Sequence, residues 1–124
     1  KWTAERFVGQ LFKNVAKFIG PAGMPSPVLW GNESTVQERF GDGLSTLSLT
    51  RRQYLFSYPF SPSEVVEFFR LYYGPIHRAF ASLDAEGQAR LRGDLEALWA
   101  AHNQAGSGCT TVYGEYLEVI GIRA

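Results

Sequence analysis

The sequence predicts an α/β chain: five helical stretches and two β-strands, with the second strand short of a neighbour. Three observations carry this. Apolar residues recur at helical spacing between clear caps and Gly/Pro stops. Two stretches, Leu44 to Tyr58 and Thr110 to Arg123, read as strands. The second, TTVYGEYLEVIGIR, is apolar on both faces, as a centrally placed strand requires. Two strands alone make a poor sheet, because three or more are needed for independent stability. The expected sheet is therefore completed from elsewhere, by another chain or by a missing N-terminal half.

The first helix follows Thr3, read as its N-cap, with Trp2 and Phe7 in the two positions of a hydrophobic staple. Val8, Leu11, Phe12, Val15 and Ile19 keep helical spacing until Gly20-Pro21. GPAGMPSPVLWG, from Gly20 to Gly31, reads as an irregular loop. A short helix is expected from Asn32 to Phe40, closed by Gly41-Asp42-Gly43. In the strand from Leu44 to Tyr58, Leu47 and Leu49 share one face and Tyr54, Phe56 and Tyr58 the other. The phase flips near Arg51-Arg52, which implies a bulge or cover on both faces.

Ser61-Pro62-Ser63-Glu64 is a capping box with proline at the first helical position, and Phe60 and Val65 are placed as a staple. The helix behind it carries Val65, Phe68, Phe69 and Tyr72 at core spacing and breaks at Gly74-Pro75. A further helix is expected from Pro75 to Leu83. Asp84 caps a longer one, with Leu91, Leu95, Leu98, Trp99 and His102 on one face to about Gln104. Gly106-Ser107-Gly108 turns the chain into the last strand.

A chain of 124 residues fits a single domain, and 45% hydrophobic residues exclude disorder. Twelve basic and twelve acidic residues cancel, which gives no electrostatic reason for nucleic acid or an anionic membrane as partner. No apolar run reaches the ~20 residues of a membrane span. The lone cysteine, Cys109, cannot form an internal disulfide and fits a reducing cytoplasm. The start at Lys1, directly before a helix, reads as a piece of a longer protein.

Few residues carry chemistry on their own. Both Gly-x-Gly turns run from helix into strand, whereas a phosphate cradle runs from strand into helix. His77, His102 and Cys109 lack metal-ligand spacing. Glu115 and Glu118 fall on opposite faces of a strand. Arg90, Arg92, Asp94 and Glu96 read as a solvated helix face. Trp30, Tyr73 and His77 differ, since each joins an apolar body to a polar tip beside a Gly or Pro break. Such residues suit the wall of a ligand site, with His77 also able to accept a proton.

KWTAERFVGQLFKNVAKFI, PSPVLWGNE, RRQYLFSYPFSPSEVVEFFRLYYGP, HNQAGSG and EYLEVIGIR together resemble the C-terminal half of bacterial class I S-adenosylmethionine-dependent methyltransferases, of the quinone-biosynthesis type. The resemblance covers nearly the whole chain. It implies a Rossmann-like sheet ending in an antiparallel pair, the last strand inserted between the fifth and sixth. Trp2 and Thr3 then match the exit from the fifth strand, residues 44–58 the sixth and residues 110–123 the seventh. The family's glycine-rich cofactor loop and ribose-holding acid have no counterpart here, so no residue of this chain is expected to bind S-adenosylmethionine. What the resemblance implies for this piece is a cap over a small aromatic or apolar methyl acceptor, with Trp30, Tyr72, Tyr73 and His77 as its wall, inactive alone. The alternative is a non-enzymatic α+β module that binds a ligand or dimerises. In either case, residues 110–123 are expected to pair with a second copy or to exchange a strand.

Overall fold

A computed structural model describes residues 1–20, 23–106 and 108–124. Pro21, Ala22 and Ser107 lie outside these, so the expected Gly20-Pro21 stop and Gly106-Ser107-Gly108 turn are each described only in part. Five helices and two strands follow in order: α1 (Phe7–Ile19), α2 (Glu33–Phe40), β1 (Leu44–Tyr58), α3 (Pro62–Tyr72), α4 (Gly74–Ala81), α5 (Ala85–His102) and β2 (Thr110–Arg123). The strands form a two-stranded antiparallel sheet. At one end the Ala124 N–H donates to the Gly43 carbonyl; at the other the Thr110 hydroxyl donates to that of Phe60.

The described residues fall into two compact units. One comprises those of Lys1–Gln10, Ala22–Tyr54 and Gly114–Ala124, the other those of Leu11–Pro21 and Leu55–Tyr113.

In the first unit the chain start is a strand stub rather than a helix start. Trp2 forms an antiparallel bridge with Tyr116. The Thr3 N–H donates to the Glu115 carbonyl at 3.0 Å, and the Leu117 N–H to that of Lys1 at 2.7 Å. Thr3 is buried and is not the N-cap that its position suggested, because its backbone is committed to β2 and α1 begins only at Phe7. Trp2, expected to staple Phe7, packs edge-on against Tyr54 and Tyr116, at 6.3 and 5.9 Å. Glu115 gathers the Thr3 hydroxyl at 2.9 Å, Arg51 at 3.3 Å and Arg6 at 3.7 Å, while Arg51 also pairs with Glu33 at 2.9 Å. The stretch expected to be an irregular loop contains a 3₁₀ turn, Pro27–Gly31, with proline at its start. Its last residue is buried. A Cβ on Gly31 would run into the Trp2 carbonyl, so the turn lies directly against the stub. Asn32 then caps α2, its side chain accepting from the Thr35 N–H at 3.0 Å.

Along β1 the half-buried positions switch from Leu47 and Leu49 to Phe56 and Tyr58, and residues 50–55 between them are all exposed. Cover on both faces, one of the two expectations here, is therefore absent.

In the second unit α1 ends at Gly20, whose φ of +73° and N–H bond to the Ala16 carbonyl make a left-handed C-cap. Trp99 of α5 is 1% exposed and meets Phe56, Tyr58 and Phe69 at 6.3, 6.1 and 5.3 Å. Ile76, Leu91, Leu95 and Val112 are also buried. α3 turns Val65 and Val66 inward with Phe69 half-buried. Phe68 and Tyr72, expected in the core, are 44% and 73% exposed. A helix buries one stripe, and Phe69 against Trp99 takes the place that either neighbour could have filled. The expected solvated face of α5 is instead partly tied down. Arg92 pairs with Glu67 of α3 and, at 3.4 Å, with Glu96, whose carboxylate accepts from Ser63 at 2.9 Å. Arg90 lies over the Phe18 ring at 5.7 Å.

Candidate functional site

An open groove of about 480 Å³ lies in the first unit, lined by Lys1, Trp30, Val36, Phe40, Leu117 and Val119. The 3₁₀ turn sets Trp30 on one side and α2 contributes Val36 and Phe40 one helical turn apart. Leu117 and Val119, alternate residues of β2, share one face of the strand. The Arg39 guanidinium sits 4.2 Å from the Trp30 ring centre, and Phe40 tilts against the same ring at 5.7 Å. This arrangement offers an apolar trough with Lys1 in its lining and the Arg39 cation on its aromatic wall, the chemistry that holds a flat ring.

Tyr72, Tyr73 and His77 belong to the second unit, at the corner between α3 and α4. Tyr73 caps α4 and its ring stands 5.4 Å from Phe69. Burial raises the Tyr73 phenol above its ordinary range. Tyr72 projects outward beside Phe68, ring centres 5.0 Å apart. His77 is exposed, and its Nδ1 lies 3.0 Å from the Arg70 carbonyl oxygen. The structure thus brings Tyr72, Tyr73 and His77 to one corner of one unit, and sets Trp30 in a groove of the other. Neither Arg39 nor Phe40 was singled out in the sequence. The signal for them was weak: Val36 and Phe40 are four apart on a short polar helix, a spacing shared by any amphipathic turn.

No protein-family model matches the sequence. Over 85 residues the chain is 36% identical to uncharacterized proteins of Mycobacterium bovis and Mycobacterium tuberculosis, a stretch that covers 66% of this chain. The chain spans 31% of the length of these curated relatives.

The described residues do not make a nucleotide cradle. Gly41 and Gly43 lead from α2 into β1, and Gly106 and Gly108 from α5 into β2, so neither Gly-x-Gly turn opens a helix. The candidate residues Trp30, Tyr72, Tyr73 and His77 present aromatic surface and one imidazole. No described helix is long and apolar enough to cross a membrane.

Proposed function

We propose that these residues form the C-terminal, acceptor-side part of a class I S-adenosylmethionine-dependent methyltransferase acting on a small aromatic or apolar acceptor. The observation that carries this reading is the antiparallel Trp2–Tyr116 bridge on the edge of β2 away from β1. It gives the order stub, β2, β1, with β2 antiparallel to both neighbours. That is the order the sequence resemblance implies for the fifth, seventh and sixth strands.

The two edges of the sheet support the same reading. β1 carries the exposed Arg51 and Arg52, charges of the kind that keep a sheet rim from pairing further. The far end of β2 carries exposed Val119, Ile120 and Ile122. A rim built of these residues is a liability; a strand with a neighbour on each side needs them. The greater length of the mycobacterial relatives leaves room for a cofactor-binding half. In this reading the cap supplies shape and aromatic surface, and methyl transfer depends largely on alignment and exclusion of water. Of the proposed acceptor-side residues, Trp30 belongs to the groove of the first unit and Tyr72, Tyr73 and His77 to the corner of the second.

Calorimetric titration of S-adenosylmethionine into the protein with its upstream residues should give micromolar binding, and into the 124-residue chain none. Absence of binding to the longer protein overturns the reading, as does micromolar binding to the short one. A second reading, a non-enzymatic ligand-binding module, is favoured by one observation: residues of a single unit line the Trp30 groove. A coding sequence upstream that lacks a strand, glycine-rich turn and helix would decide for the module.

A further inference from the structure

We infer that the exposed end of β2 pairs antiparallel with the same stretch of a second copy, in a register centred on Gly121. Val119, Ile120 and Ile122 keep strand conformation while 38%, 55% and 58% exposed. Alternate residues of a strand turn their backbone groups to opposite edges. Ile122 and Ala124 turn toward β1, where the Ser45 hydroxyl donates to the Ile122 carbonyl at 3.1 Å and more weakly, at 3.4 Å, to that of Arg123, and the Ala124 N–H donates to that of Gly43. Glu115 and Leu117 turn to the other edge and are bonded to Thr3 and Lys1. Val119, Gly121 and the Arg123 N–H continue that second row. Among the described residues no strand lies along it past the Trp2 bridge.

These constraints select the register. Outward-turned residues must face outward-turned residues, so Gly121 faces the partner's Gly121 and Val119 faces the partner's Arg123. Moving the axis to Ile120 would drive the partner's Ala124 onto Tyr116, which Trp2 already occupies. Moving it to Ile122 shortens the pairing. With the axis on Gly121, Ile120 lies opposite the partner's Ile122 and the reverse holds across the axis. These are the closely spaced, non-hydrogen-bonded positions, so four isoleucines meet on one face. Gly121 puts no side chain at the axis. Glu118, paired with Arg52 of β1, lies opposite the partner's Ala124, and no like-charged side chains are opposed. β1, by contrast, carries the exposed Arg51 and Arg52, charges that discourage further pairing of its edge. The product is a four-stranded sheet made from two marginal two-stranded ones.

The inference rests on the strand edge and not on methyl transfer. In the longer protein proposed above, an upstream strand would take this edge first.

Sedimentation equilibrium of the 124-residue chain should show a dimer, and Ile120→Lys should raise its dissociation constant about tenfold. Residue-resolved amide exchange should show the Val119, Gly121 and Arg123 N–H groups protected in the dimer and released on dilution. A monomer at millimolar concentration overturns the inference. So does a dimer in which those three amides exchange as fast as in the monomer.

Discussion

The Nδ1 of His77 lies 3.0 Å from the carbonyl oxygen of Arg70, so the imidazole clasps the end of α3 from the first turn of α4. Arg70 is in the last turn of its helix, where carbonyls lack intrahelical donors. A carbonyl only accepts, so the neutral ring carries its proton on Nδ1 and its lone pair on Nε2. Long-range ¹H–¹⁵N spectra should show this tautomer. His77→Ala should cost about 1 kcal/mol in urea denaturation. An unchanged midpoint would mean that the clasp contributes nothing to stability.

At the other end of α3, the Ser61 hydroxyl accepts from the Glu64 N–H while the Glu64 carboxylate accepts from the Ser61 N–H at 2.9 Å. Ser61→Ala should lower stability by about 1 kcal/mol. The Ser61 backbone N–H, and then its hydroxyl, hold the Glu64 carboxyl below the usual carboxylate range. A depressed folded-state value means stability that is present at neutral pH and lost as pH falls through that value. Glu64→Gln should therefore make acid unfolding less steep, measured by circular dichroism against pH. An identical acid profile would count against the reciprocal cap.

Trp99 stands at the centre of its unit, within 5.3 to 6.3 Å of three other aromatic rings. Trp99→Ala should cost about 3–5 kcal/mol. The loss should appear as faster amide exchange in α3, α4 and α5. A change below about 1 kcal/mol would show that the site collapses around the gap.

Trp30 should behave differently, because it is partly exposed and its partners are a surface arginine and a phenylalanine. Arg39→Ala should cost about 0.5 kcal/mol yet change the tryptophan emission, which checks the stacking. With indole as the probe, saturable binding in the groove should disappear in Trp30→Ala while the helical circular dichroism signal stays. Equal indole binding by the variant would remove Trp30 from the wall.

Local signals with a single physical cause were legible in the sequence. β1 begins after Gly43 and ends before Pro59, and the structure keeps those limits. Ser61 and Asp84 cap their helices as their side chains dictate. What the residues did not disclose depends on distant parts of the chain. Thr3 has the side chain of a cap, and only its pairing with Glu115, 112 residues away, makes it part of a strand. Phe68 and Phe69 are chemically equal, and the place of Trp99 decides which of them goes inward. The groove wall of Leu117 and Val119 exists because the 3₁₀ turn and α2 leave it open, which no pattern in β2 announces.

Gly31 has a mechanical consequence. Its bare α-carbon is pressed on the Trp2 carbonyl, so the indole next to it in sequence is geared to the first residues of the chain. A saturation library at codon 31 should return glycine almost alone. Any molecule that displaces Trp30 should also loosen the Thr3 and Leu117 amides, making one tryptophan a gauge of how firmly the sheet is held.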